Sequence, residues 1–161
     1  MKKLLLTNLL SITIVFAVAG QSFDWNIRGG FNLMNSKSSG SDLAVLYHGG
    51  IQAGVRITNI GLYGEVIYSL HADQYGGEPI PYLIPAVVAK AYTLRFVFVE
   101  FGGAYLSKQG DSGVDPDIKN PDEKLFVLAG LGVHVSKIEV SLRALSKQSY
   151  GVIQLTAALK F

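Results

Sequence analysis

The sequence predicts an all-β chain that closes into an eight-stranded antiparallel up-and-down transmembrane β-barrel. Three observations predict it. From Phe23 onward, segment after segment places an apolar residue at every second position, which is the period of a strand and not of a helix. The alternate face of those segments is glycine-rich and semi-polar with one or two charges per strand, which suits an enclosed lumen and not the Lys/Glu-rich skin of a soluble barrel. The links between segments alternate long and short, the rhythm of barrels with short periplasmic turns and longer outer loops.

Composition narrows the class before any element is placed. The 161 residues are enough for one ordinary domain. Hydrophobic residues make up 49% and charged ones 16%, against ~25% charged in a typical soluble domain. There is no cysteine, so no disulfide framework, thiolate metal site or lipoprotein anchor. A net charge of +2 gives no reason to expect a nucleic-acid partner. The opening "MKKLLLTNLLSITIVFAVAGQ" has Lys2 and Lys3, an apolar stretch and Ala17-Val18-Ala19. This is a secretory signal peptide over residues 1–19, cut after Ala19 or Gly20, leaving residues 20–161 as a single barrel domain. Leu4 to Ala19 is interrupted by Thr7, Asn8, Ser11 and Thr13 and falls short of the ~20 apolar residues of a spanning helix. Removal of Lys2 and Lys3 leaves 12 basic and 12 acidic residues.

The strands follow in order. "FDWNIRGGFNLM" sets Phe23, Trp25, Ile27, Phe31 and Leu33 against Asp24, Asn26, Arg28 and Asn32. "YHGGIQAGVRIT" sets Tyr47, Ile51, Ala53, Val55 and Ile57 against His48, Gln52 and Arg56. "LYGEVIYSLH" sets Leu62, Val66, Tyr68 and Leu70 against Tyr63, Glu65, Ser69 and His71. The segments 82–92 and 94–106 are apolar on both faces; length and β-branched content make them the fourth and fifth strands, with Glu100 inward and the facing otherwise open. "LFVLAGLGVHV" and "IEVSLRAL" alternate again, and "GVIQLTAALKF" closes the set with Ile153, Leu155, Ala157, Leu159 and Phe161 on one face. The links are 35–46, 59–61, 72–81, 93, 107–123, 136–137 and 146–151.

The semi-polar face carries Asp24, Glu65, Glu100 and Glu139 against Arg28, Arg56, Arg143 and Lys160. Balanced charge is what a lumen needs, because an unpaired buried charge is costly. Arg56 is expected to pair with an acid such as Glu65 on the neighbouring strand, and Val55, its neighbour, to face lipid near the middle of strand two. Phe23, Trp25 and Phe161 fall at one set of strand ends and Tyr47 and Tyr68 at the other, where interfacial aromatic belts lie. Eight strands leave an interior that side chains fill, so an open diffusion channel is not expected. The partner this implies is outer-membrane lipid, with both termini in the periplasm.

Catalytic and metal readings are weaker. Ser69, His71 and Asp73 share a face at one loop base, but a triad is a spatial arrangement and not a linear one. His48, His71 and His134 sit on different strands with no recurring ligand spacing. The loop "KQGDSGVDPDIKNPDEK" has carboxylates but not the register of a calcium loop. No enzyme activity, cofactor or metal is therefore expected.

The pieces "GEVIYSLHA", "YLIPAVVAK", "LFVLAGLGVHV" and "VSLRAL", in that order, resemble the small outer-membrane β-barrel proteins of Bacteroidetes, the PorT-like or porin-like family. The matching positions are Glu65, Tyr68 and Ser69; Tyr82, Ile84 and Pro85; Gly130, Gly132 and Val133; and Arg143. The barrel reading leads to a non-enzymatic cell outer-membrane protein with a structural or surface-loop binding role. The resemblance implies, as an alternative, an accessory component of protein secretion; a narrow pore is a further alternative. The resemblance also implies that Phe161, a terminal aromatic on an alternating strand, resembles the signal read by the barrel-assembly machinery during biogenesis. A secretion partner follows from the same resemblance, and an extracellular ligand of the outer loops from the surface-binding role.

Overall fold

A computed structural model describes residues 21–35, 43–71, 78–94, 96–109, 125–147 and 150–161. The signal peptide, the acidic loop and Asp73 lie outside these residues. The strands are β1 (Gln21–Asn35), β2 (Leu43–Ile57), β3 (Ile60–His71), β4 (Ile80–Tyr92), β5 (Val97–Tyr105), β6 (Ser107–Lys108), β7 (Leu125–Val135), β8 (Ile138–Lys147) and β9 (Tyr150–Lys160). Every pairing is antiparallel; β1 to β5 pair in chain order, β5 pairs with β7, β7 to β9 continue in chain order, and β6 pairs with β4. β9 returns to β1 and β3 meets β4, so the sheet closes on itself. β5 and β6 are one strand. The rungs Ala86↔Ala104 and Leu83↔Ser107 keep the same register across the break, which falls opposite Pro85, a residue with no N–H to give. The barrel is therefore eight-stranded.

The register fixes its shape. Rungs can be followed round the wall from Phe23 through Val55, Leu62, Ala89, Phe101, Ala129, Ala144 and Ile153 back to β1 at Leu33. The return lies ten residues beyond the start. A stagger of ten across eight strands, at ~3.3 Å per residue and ~4.8 Å between strands, tilts the strands by roughly 40°. One rim, the turn rim, carries Thr58–Asn59 and Ser136–Lys137, the link through Thr93 and Leu94, the start of β1 and the end of β9. Thr58 and Ser136 have φ of 50° and 56°, the positive values that let two-residue hairpin turns follow the sheet twist. The opposite, loop rim carries the links 36–42, 72–79, 109–124 and 148–149.

The alternating faces of the six clear strands fall as the sequence predicts, with the apolar set outward and the mixed set inward. β4 turns Tyr82, Ile84, Ala86, Val88, Lys90 and Tyr92 inward, and β5 turns Phe98, Glu100 and Ala104 inward. Three expectations need correction. The long–short rhythm fails at the last link, because β8 and β9 run on until only residues 148–149 separate them. β2 starts at Leu43, so Val55 lies near the turn rim and Ile51 near the middle of the wall. The third is the pairing of Arg56, below.

Candidate functional site: the filled lumen and the apolar belt

The wall has two faces with different chemistry, and both follow from period two. Inward residues meet each other across a bore that eight strands leave only wide enough for side chains. They stack in layers between the rims.

In the central layer, Arg143 is the hub. Its Nε donates to Glu100 Oε1 at 2.6 Å and its Nη2 to Glu100 Oε2 at 3.0 Å. The same guanidinium reaches Glu65, Nη1 to Oε1 at 2.8 Å and Nη2 to Oε2 at 3.0 Å. Arg28 also donates to Glu65, from another direction, and Gln52 adds a third donor at 2.8 Å. β1, β3, β5 and β8 are thus tied across the bore by two guanidiniums and two carboxylates, all buried. Forked guanidinium–carboxylate geometry is the strong form of the charged hydrogen bond.

Towards the turn rim, Lys90 Nζ donates to Glu139 at 2.6 Å and Lys160 Nζ to Asp24 at 2.6 Å. Tyr63 donates to Asp24 at 3.3 Å. Lys90 also lies 4.7 Å from the Phe98 ring centre. Arg56 does not meet Glu65. It stands further down the wall, donates Nε to the Thr58 carbonyl at 2.9 Å and lies 3.8 Å over the Tyr92 ring centre. Glu65 sits opposite Gln52, two inward positions away from Arg56 along β2, and that offset is why the expected pair does not form. Asp24, Arg28, Glu65, Glu100, Glu139, Arg143 and Lys160 all have opposite-charge partners, while Arg56 has an aromatic one.

Sequence reasoning missed Lys90. Its strand is apolar on both faces, so alternation was silent. The charge itself was the signal, since a lysine on the lipid face is costly, increasingly so away from the rims, and is satisfied inward.

Towards the loop rim the bore divides. On one side, Asn32 Oδ1 accepts from Gln154 at 3.0 Å and meets His48 Nδ1 at 3.0 Å, while its Nδ2 donates to Ser69 Oγ at 2.7 Å and to the Leu70 carbonyl at 2.8 Å. On the other side Ile67, Ile84, Ala86, Val88, Ala104, Leu106, Phe126, Leu128, Leu145 and Val152 pack as one apolar cluster. Ser69 and His71 do touch, Oγ to Nε2 at 3.0 Å. Both are buried, and Ser69 is held by Asn32, so the pair serves the packing of the bore. Among the described residues no group of His, Asp or Glu is arranged to hold a metal ion.

The outward face is apolar from rim to rim. Ile51 is 60% exposed, Phe101 63% and Leu131 59%, far beyond the scattered apolar exposure of a soluble surface. With the strands tilted as the register requires, Phe31, Tyr47, Tyr68 and Tyr105 share a level near the loop rim. Phe23, Trp25 and Phe161 share another, roughly 20 Å away. Trp25 and Phe161 stack with ring centres 4.4 Å apart, and the Phe161 N–H donates to the Trp25 carbonyl at 2.9 Å. Two aromatic girdles around an apolar band of about 25 Å are the outer surface of a barrel that crosses a bilayer.

Neither family models nor curated proteins match this sequence. Solved structures match the fold. Neisserial surface protein A (NspA) aligns with a TM-score of 0.54 at 15% identity, covering 88% of this chain and 97% of its own. A de novo designed transmembrane β-barrel aligns with a TM-score of 0.51 at 13% identity, covering 86% of this chain and 94% of its own. The fold, its belt and its filled bore define a small transmembrane β-barrel of eight antiparallel strands.

Proposed function

We propose that the protein is an integral outer-membrane β-barrel of a Gram-negative bacterium, non-enzymatic, exported by a cleaved signal peptide and inserted with both termini in the periplasm. One observation carries this reading: an unbroken apolar outer face between two aromatic girdles, which water would not tolerate and lipid requires. The short links at the turn rim suit the periplasmic side, and the long link 109–124 suits the cell surface. The filled bore favours a structural or surface-binding role over diffusion. The segments "GEVIYSLHA", "YLIPAVVAK" and "VSLRAL" support the narrower reading of a PorT-like accessory in secretion across the outer membrane.

Fractionation of intact cells tests the location. The protein is expected with outer membranes, running faster on a gel before boiling than after. Recovery as a soluble periplasmic protein overturns the reading. Protease applied to whole cells is expected to cut only in the loop-rim links. Comparison of proteins exported by cells with and without the gene tests the secretion role, and an unchanged export profile leaves the structural one.

A further inference from the structure

One inward cation stands outside the pairing of the lumen. Asp24, Glu65, Glu100 and Glu139 are matched by Lys160, Arg28, Arg143 and Lys90, so the lumen is neutral without Arg56. Among the described residues Arg56 has no carboxylate partner. The two acids of the turn-rim layer are already held, Asp24 by Lys160 and Glu139 by Lys90. An unmatched cation is tolerated here because the mouth is wet. Arg56 is partly exposed, and the rim residues Thr58, Asn59 and Ser136 are exposed.

Arg56 is nevertheless not a loose side chain. Its Nε donates to the Thr58 carbonyl at 2.9 Å, and its guanidinium lies 3.8 Å over the centre of the Tyr92 ring. Tyr92 is itself fixed. It is buried, its hydroxyl lies 3.2 Å from that of Tyr63, and its N–H donates to the Asn59 carbonyl at 2.8 Å. These contacts use one N–H and one face of the guanidinium. The terminal nitrogens, Nη1 and Nη2, have no acceptor among the described residues. His134 lies against the same ring, at a near right angle with centres 5.3 Å apart, and neither of its ring nitrogens is hydrogen-bonded among the described residues. It too is partly exposed. The turn-rim mouth thus gathers a fixed fork of donors and an imidazole about one ring, with no acid free to meet them.

A guanidinium fork matches two oxygens of one oxyanion. A carboxylate would spend both its oxygens on the fork, whereas a phosphate keeps oxygens free for the imidazole. Donors fixed beforehand lower the ordering cost of binding. Lipid is also close at hand. The link after Tyr92 exposes Leu94 and Phe96, at the level of the rim where headgroups and interfacial aromatics meet.

We infer that Arg56 and His134, arranged about Tyr92 at the turn-rim mouth, form a phosphate-binding site, filled by the headgroup of a phospholipid in the facing leaflet or by free phosphate. The site lies at the mouth and needs no space within the packed bore.

The test uses the full barrel folded in maltoside micelles, which are uncharged and contain no phosphate. Inorganic phosphate is titrated in one arm and a short-chain phosphatidylglycerol in the other, at constant ionic strength, with the matching diacylglycerol as the phosphate-free control. Calorimetry gives the affinity, and NMR of isotope-labelled arginine and histidine side chains gives the place. Saturable shifts at Arg56 and His134 are expected with phosphatidylglycerol and none with diacylglycerol. Shifts with inorganic phosphate as well show that free phosphate suffices; shifts with phosphatidylglycerol alone assign the headgroup. Arg56→Lys keeps the charge and loses the fork, and should weaken binding about tenfold or more. His134→Phe keeps a ring against Tyr92 and loses the nitrogens, and should weaken it about threefold or more. Lys137→Gln removes an equal charge from an exposed turn at the same rim and should leave affinity within about twofold. The heat-shifted gel band confirms that each variant is folded, and the parent NMR arms stand if one is not. No shift at Arg56 and His134 with either probe, full affinity in Arg56→Lys, or equal weakening by Arg56→Lys and Lys137→Gln overturns the inference. None of these arms depends on which membrane the barrel occupies, so failure here is distinct from failure of the outer-membrane reading.

Discussion

Arg143→Met removes the central cation and leaves its surroundings in place. The side chain is 1% exposed and makes four hydrogen bonds, two to Glu65 and two to Glu100. Glu65 keeps Arg28 and Gln52, whereas Arg143 is the partner whose hydrogen bonds hold Glu100. One carboxylate is thus left buried without compensation, and breaking such a pair costs about 3–5 kcal/mol. Adding Glu100→Gln removes the orphan and leaves Arg28–Glu65 as a balanced pair, so about 1–3 kcal/mol should return. Adding Glu65→Gln to Arg143→Met instead strips Arg28 of its partner and leaves Glu100 as before, so no stability should return. Trp25 is the only tryptophan, and its fluorescence during urea unfolding in lipid vesicles gives the midpoints and slopes. Equal rescue by Glu100→Gln and Glu65→Gln would show that only net charge matters and that the pairing described here is not what holds the bore.

Depth on the outer face gives a second test. Ile51→Arg, at the middle of the wall, should cost about 2–4 kcal/mol, and Val55→Arg, near the turn rim, about 0–1 kcal/mol; equal costs by the same urea titration would contradict the assigned tilt. Glycines on the two faces should differ as well. A Cβ at inward Gly50 would lie 2.2 Å from the Val66 carbonyl oxygen, while one at outward Gly64 meets nothing within 4 Å. Gly50→Ala should lower the unfolding midpoint and Gly64→Ala should not. Deletion of Phe161 removes the stacking partner of Trp25, and pulse-chase should reveal slower assembly with precursor held in the periplasm. An unchanged assembly rate would remove Phe161 from any signalling role.

The strands with one apolar and one mixed face were legible because lipid and bore make opposite demands on alternate residues, as at Ile27 and Arg28 or Leu142 and Arg143. β4 escaped because its bore-facing residues Ile84, Ala86 and Val88 belong to the apolar half of the lumen and look like lipid-facing ones. Charge balance was legible in kind but not in partner. Which cation meets which acid depends on the stagger round the barrel, which local pattern does not encode, and so neither the aromatic partner of Arg56 nor the Lys90–Glu139 pair is visible in it. The division of the bore into a polar and an apolar half depends on which strands become neighbours in the closed wall.

The meeting of β9 with β1 sets a condition on the order of events during biogenesis. Asn26 pairs with Lys160 and Asp24 is held by Lys160 across 136 positions of sequence. Until β9 has been delivered, β1 and whichever strand has arrived latest both present open ladders, which lipid penalises and other chains can pair with. The hairpins can form early, each from residues close in sequence. The ring cannot. Closure is therefore a late event that waits for the far end of the domain, and an unclosed intermediate with open ladders at both edges precedes it.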